Sequence, residues 1–278
     1  MQVLKDLDIR GLIVTAREAG RAILDVYETD FEVRRKSDAS PVTEADLRAD
    51  HVIRERLEER YPGVPVLSEE NSEQAAYEER HDWPCYWLVD PLDGTKEFIK
   101  RNGQFTVNIA LIEGGRPVAG VVFAPALELL YYALNHAGGQ EAFKVNNGGP
   151  AVRLDTGRLD TGRLDTGRLD RGRRGRGKRL VIAGSLSHSS AEMTAFVEEQ
   201  KQHYEEVKFI AMGSSLKICL VAEGGADIYP RLGPTMEWDT AAAHAVANAA
   251  GRRVVEYQSD RELRYNKRDL HNPWFIVE

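Results

Sequence analysis

At 278 residues the chain is long enough to bury a large core, and 42% apolar with 29% charged side chains is ordinary composition for a protein that folds in water. Its 37 basic and 44 acidic side chains, a net charge of -7, argue against non-specific nucleic-acid binding by the chain as a whole. Cys85 and Cys219 lie far apart in no CxxC pattern, which excludes a disulfide framework and a thiolate metal site and makes a reduced cytoplasm the expected setting. Charges are scattered through the first thirty residues, and nowhere do about 18 apolar residues run together, so neither a signal peptide nor a membrane span is expected.

Ile9, Leu12, Ile13, Ala16, Gly20, Ile23 and Tyr27 recur at helical spacing and predict a first helix over residues 9–27. A polar turn at residues 37–41 follows. Thr43 and Asp46 then open a second helix, which stops at Tyr61-Pro62-Gly63. Strands are expected at residues 64–67 and 86–89, the second delivering Asp90 to its C-terminal end. Three more follow at 106–113, 118–124 and 129–134, the first pair turning at Gly114-Gly115. Beyond residue 180, strands at 180–183, 207–211 and 226–229 alternate with helices at 191–204 and from Gly213-Ser214-Ser215 through Ala222. An alanine-rich helix at 240–250 ends at Gly251, and strands at 253–257 and 274–277 complete the chain. The expected class is α/β, with an α+β half at residues 1–152 and an α/β half at 180–278.

Between them lies an insertion, 153–179, built on repeats of Arg-Leu-Asp-Thr-Gly and closing in an Arg/Gly/Lys run. It holds ten basic and four acidic side chains, a net +6 inside an acidic chain. A period of five fits neither helix nor strand, and one leucine per repeat buries too little to offset ordering entropy, so a mobile loop is expected. A surface expansion without function is the plain explanation. Docking on RNA or weakly on an anionic membrane, on the cytoplasmic side of the inner membrane, is the functional one.

Asp90-Pro91-Leu92-Asp93-Gly94-Thr95 stands where a hydrophobic strand runs into polar sequence. Pro91 stiffens the turn, so two carboxylates and the Leu92 carbonyl can converge on a hard cation such as Mg²⁺, and Gly94 and Thr95 offer backbone N–H groups to a phosphate. Each acidic element also has a plain explanation: the Asp-x-x-Asp-Gly-Thr stretch as a turn, Glu69-Glu70 as a solvated strand end, Asp46 as a capping-box partner, Asp239 as an N-cap. The histidines are scattered without ligand spacing, and no covalent nucleophile stands out.

The joint order is more specific. Asp46, Glu69-Glu70, the Asp90–Thr95 stretch and Glu237-Trp238-Asp239-Thr240-Ala241-Ala242 together resemble the inositol monophosphatase-like superfamily of Mg²⁺-dependent, lithium-sensitive phosphatases, over nearly all of the chain outside the insertion. The segments 96–103, 105–110 and 213–224, with Tyr229-Pro230-Arg231, resemble its bacterial 3'(2'),5'-bisphosphate nucleotidase branch. The resemblance implies a layered αβαβα sandwich of the inositol monophosphatase/fructose-1,6-bisphosphatase type. It implies two or three Mg²⁺ ions held by Glu69, Asp90, Asp93, Asp239 and the Leu92 carbonyl, with water activated by Asp46 and Thr95. Substrate would meet Glu69, Leu92, Asp93, Gly94, Thr95, Asp239 and Gly213-Ser214-Ser215, with Glu70 a neighbour only. The implied reaction is hydrolysis of adenosine 3',5'-bisphosphate to AMP and phosphate, with 3'-phosphoadenylyl sulfate as a second substrate, in sulfate assimilation. Inositol monophosphatase or fructose-1,6-bisphosphatase activity is the enzymatic alternative. One departure stands out: Ser185-Leu186-Ser187-His188 lacks the arginine that the branch often carries there, leaving a second-phosphate contact open.

Overall fold

A computed structural model describes residues 7–35, 41–136, 139–154, 179–185 and 190–278. Helix α1 (Ile9–Tyr27) buries Leu12, Ala16, Ala19, Ile23 and Val26, the stripe that its spacing predicts. A short antiparallel pair, β1 (Val33–Arg35) and β2 (Pro41–Thr43), follows; of the predicted turn, residues 37–40 lie outside the described residues. Thr43 caps α2 (Glu44–Arg60) in a capping box: its hydroxyl accepts the Ala45 N–H, while Asp46 accepts the Thr43 N–H at 2.7 Å.

Next come β3 (Val66–Ser68), a 3₁₀ segment (Glu69–Gln74), α3 (Tyr77–Arg80), β4 (Cys85–Asp93) and α4 (Thr95–Ile99). They are followed by β5 (Thr106–Glu113), β6 (Arg116–Ala124), β7 (Leu129–His136), β8 (Gly139–Asn146) and β9 (Val152–Arg153). Strands β3 to β9 form one sheet in chain order, with β3 parallel to β4 and every later pair antiparallel. The β4–β5 register breaks between Asp90 and Asp93, where Pro91 has no N–H to give the ladder.

The second half runs β10 (Arg179–Gly184), α5 (Ala191–Lys201), β11 (Glu206–Ala211), α6 (Leu216–Ala222), β12 (Tyr229–Arg231), α7 (Trp238–Ala249), β13 (Val254–Glu256) and β14 (Phe275–Val277). Strands β10 and β11 pair in parallel, β12-β14-β13 antiparallel, and a bridge from Ile182 to Ile228 joins the two groups. Three cores follow from strand alternation. Val107, Ile109 and Leu111 of β5 face α1 and α2, whereas Ala110 and Ile112 face α6, α7 and the second sheet. On the far side of that sheet Leu180, Ile182 and Ile276 pack on Phe196 of α5. Helices, sheet, helices, sheet and helix make the expected αβαβα sandwich.

The structure adds β1, β2, β8 and β9 to the predicted strands, and places Tyr229–Arg231 in a strand predicted to end at residue 229. β8 is half-exposed and polar; pairing with β7, not an apolar run, defines it. Residues 155–178 of the basic insertion, with its expected mobile loop, lie outside the described residues. Among the described residues no helix is long and apolar enough to cross a membrane.

Candidate active site

The buried run Tyr86-Trp87-Leu88-Val89 carries Asp90 to 1% exposure, where its Oδ1 accepts the Leu92 N–H at 3.1 Å across Pro91. Gly94 follows at φ +89°, a conformation that suits glycine, and lets Thr95 start α4 immediately after Asp93. The sequence predicts a strand over 86–89 that delivers Asp90 to its C-terminal end; the structure carries β4 on through Asp93, and the left-handed Gly94 follows directly.

Residues distant in sequence close around them. Asp93 Oδ2 accepts the Ser215 N–H at 2.5 Å, and the Asn108 side-chain amide lies 3.4 Å away. The Ser215 hydroxyl sits between Thr106 Oγ1 and Asn108 Oδ1, 2.9 Å from each. Asp46, 2% exposed, accepts the Thr43 hydroxyl on Oδ2 at 2.7 Å, while Thr95 Oγ1 lies 3.4 Å from its Oδ1 and 3.5 Å from the Leu92 carbonyl. Asp239 is not the predicted N-cap. The helix starts two residues earlier than expected, at Trp238, and Asp239 sits in its first turn with Oδ2 accepting the Met236 N–H at 2.9 Å. The alanine run concealed the true start.

Glu69, Asp93, Gly94, Thr95, Ser214, Ser215 and Asp239 line one cleft of about 210 Å³. Asp46, Asp90, Leu92 and Gly213 do not line it; the Gly213 N–H donates to Gln104 Oε1 at 2.7 Å. Glu70 does not line it either. Lys96, Lys217 and Arg231 bring positive charge to the same walls. Lys217 was missed in the sequence, although a single charge inside the apolar run Leu216–Ala222 is a usable signal.

Burial, followed by the charges of Glu69, Asp93, Asp239 and Asp46, pushes the Asp90 carboxyl well above the usual carboxylate range. Asp239 is raised in the same way, by burial and then by Asp93 and Glu69. Asp93 rises to about 6 because burial outweighs the Lys217 charge and the Ser215 N–H, and burial takes Asp46 to about 6 as well. The Lys217 ammonium, desolvated beside Asp93, is pulled down to about 8.

Among the described residues no group of three His, Cys, Asp or Glu side chains is gathered as a ready chelate. Each of these aspartates instead accepts a nearby protein donor: Asp46 from Thr43, Asp90 from Leu92, Asp93 from Ser215, Asp239 from Met236. The donor chemistry nevertheless fits hard divalent cations, since these are oxygen ligands, buried, and mutually repelling enough to hold protons too tightly.

Residues 8–275 match the inositol monophosphatase family. The chain is 46% identical over 265 residues to the 3'(2'),5'-bisphosphate nucleotidase CysQ of Salmonella typhimurium, covering 94% of this chain and 96% of that protein. The corresponding CysQ of Haemophilus influenzae is 36% identical over 279 residues, 100% of this chain and 94% of the relative. A crystal structure of CysQ from Bacteroides thetaiotaomicron, described as a bacterial member of the inositol monophosphatase family, superposes with a TM-score of 0.79 at 41% identity, covering 97% of this chain and 96% of that one. This chain therefore belongs to the inositol monophosphatase family, a family of metal-dependent phosphatases, and within it to the branch of the CysQ relatives.

Proposed function

We propose that the protein hydrolyses the 3'-phosphate of adenosine 3',5'-bisphosphate to give AMP and phosphate, with 3'-phosphoadenylyl sulfate as a second substrate, in the clearance of by-products of sulfate assimilation. The observation that carries this is the cleft itself. Acids from both halves of the chain share about 210 Å³ with Lys217 and Arg231, an arrangement suited to a substrate with two phosphates. The names of relatives at 44–46% identity favour this substrate over inositol phosphate or fructose bisphosphate.

In this reading Glu69, Asp90, Asp93, Asp239 and the Leu92 carbonyl hold two or three Mg²⁺ ions, and the site is inhibited by Li⁺. Asp93 and Asp239 accept the Ser215 and Met236 N–H groups on Oδ2, so each would have its other carboxylate oxygen to offer a cation while the supporting bond stays in place. Bound Mg²⁺ would neutralise the phosphoryl oxygens and the leaving oxygen, the charge that otherwise makes phosphate monoesters so slow to hydrolyse. The chain's own residues supply the rest. The Thr95 hydroxyl can donate to Asp46 Oδ1 and so keep its lone pairs free to accept a water proton. The water oxygen would attack phosphorus and give its proton through Thr95 toward Asp46, while the bond to the 3'-oxygen breaks in line and that oxygen takes up a proton from solvent to leave as the 3'-hydroxyl of AMP. The Gly94 and Thr95 amides would face the phosphate, Ser214 and Ser215 would approach the nucleoside, and Lys217 with Arg231, on the cleft wall, would supply the positive charge for the second phosphate that the absent branch arginine does not.

Purified protein should release phosphate from adenosine 3',5'-bisphosphate with Mg²⁺ and stop on addition of a chelator. Preference for inositol 1-phosphate in the same assay would reject the reading.

A further inference from the structure

Asn272 lies in the segment between β13 and β14, at 6% exposure, and its side-chain amide reaches the backbone before Asp239 and the Thr240 hydroxyl after it. Nδ2 donates to the Met236 carbonyl at 2.7 Å and reaches Thr240 Oγ1 at 3.1 Å, while the backbone N–H donates to the Thr235 carbonyl at 2.8 Å. Met236 is the residue whose N–H the Asp239 carboxylate accepts, and Thr240 is the next residue in the chain. From the other side the Thr240 hydroxyl meets Tyr265 Oη at 3.2 Å, and Tyr265 in turn meets Nδ1 of the fully buried His244 at 2.9 Å. Asp239 therefore leaves a turn pinned before and after it.

We propose that Asn272 is a positioning residue for Asp239: by fixing the turn from Met236 to Thr240 it aims the carboxylate into the cleft and sets the affinity of the site for Mg²⁺. The inference rests on Asp239 being a metal ligand, as read above. A ligating carboxylate released from its supporting hydrogen bonds must be reordered on each binding event, and loss of such support typically lowers metal affinity about 10- to 100-fold. A role confined to stability would instead appear in melting and leave metal affinity unchanged.

Calorimetric titration with Mg²⁺ alone separates the two. Asn272→Ala removes the donors, and Asn272→Asp keeps the shape but turns a carboxylate toward the Met236 carbonyl. Asn135→Ala is the control, because Asn135 Nδ2 donates to the Ala245 carbonyl at 3.1 Å, in the other half of the same helix α7. Both Asn272 variants should weaken Mg²⁺ binding about tenfold or more, with turnover recovering as Mg²⁺ is raised. Asn135→Ala should melt earlier yet bind Mg²⁺ as the wild type does. Asn272→Ser, which keeps one donor, should show a smaller loss and covers the case in which the larger changes prevent folding. Wild-type Mg²⁺ affinity in the Asn272 variants overturns the inference alone; a wild-type protein that binds no Mg²⁺ overturns it together with the functional reading.

Discussion

The Ser215 N–H donates to the Asp93 carboxylate at 2.5 Å although 122 residues separate them, which locks the end of β4 to the start of α6. That bond holds the two halves of the cleft at a fixed distance, yet burial still leaves Asp93 raised to about 6. Asp93→Asn should therefore reduce phosphate release to background. Because Asn keeps an oxygen for Ser215 and removes a desolvated charge, circular dichroism and the melting temperature in chelator should stay close to wild type. Unfolding of the variant would show that Asp93 serves the fold before it serves the reaction.

Lys217 is buried on α6, and its ammonium donates to the Ser214 carbonyl at 2.5 Å. Burial costs the charged form, and the retained charge faces the cleft beside Asp93. A hydrogen bond from such a cation is worth about 1.5–3 kcal/mol. Lys217→Met should raise KM for adenosine 3',5'-bisphosphate by roughly ten- to a hundredfold on that figure, with a much smaller effect on 3'-AMP, which lacks the 5'-phosphate. Steady-state kinetics on the two substrates read the difference directly.

The parts of this site that are legible in the sequence are those where local chemistry and position coincide. Asp90 to Thr95 terminates an apolar strand, and Pro91 and Gly94 mark its turn. The capping box of Thr43 and Asp46 is equally local. Other residues carry no such signature. Asn272 in His271-Asn272-Pro273 reads as an ordinary turn, and only the tertiary fold brings its amide to Met236. Strands β8 and β9 are polar edges defined by their partners, and Asp239 passed for an N-cap because alanines obscure where α7 begins.

Raised carboxyl pKa values make stability depend on pH in an unusual direction. Burial raises Asp46 and Asp93 to about 6 when folded, against the ordinary 3.8 of an exposed aspartate, so between about 4 and 6 the folded chain binds more protons than the unfolded one. Their penalty is fully present above 6 and absent below about 4, so stability in chelator should rise as pH falls through that window. His244 opposes this, since burial lowers its pKa and acid charges the unfolded chain first. One imidazole is outweighed by Asp46, Asp93 and the further raised Asp90 and Asp239. Thermal melts in chelator at pH 7.5 and 5.5 check the sign, and a lower melting temperature at pH 5.5 contradicts it.

The same repulsion predicts the response to metal. Mg²⁺ at a hundred times its Kd should stabilise the fold by about 2.7 kcal/mol per independent site. Adding it should also flatten the acid stabilisation, because ions that neutralise the carboxylates remove the reason for them to bind protons. Melting curves with chelator, Mg²⁺, and Mg²⁺ with Li⁺ test this alongside phosphate release, which Li⁺ should inhibit. Equal melting temperatures with and without Mg²⁺ would contradict the cation site.

At Gly120 on β6 the backbone of α7 packs directly against the strand. A Cβ there would lie 2.3 Å from the Ala242 carbonyl oxygen, a backbone atom that no side-chain rotation can move. Gly120→Ala must therefore lift α7, and overpacking of this kind costs about 1–3 kcal/mol or more. Because α7 carries Asp239 in its first turn, the displacement should reach the cleft as well as the core. Melting temperature and Mg²⁺ affinity should fall together, whereas Gly63→Ala, whose glycine is at φ +85° with nothing within 4 Å of the added carbon, should cost stability alone. If Gly120→Ala melts earlier but binds Mg²⁺ normally, the seat of α7 on β6 does not govern where Asp239 points.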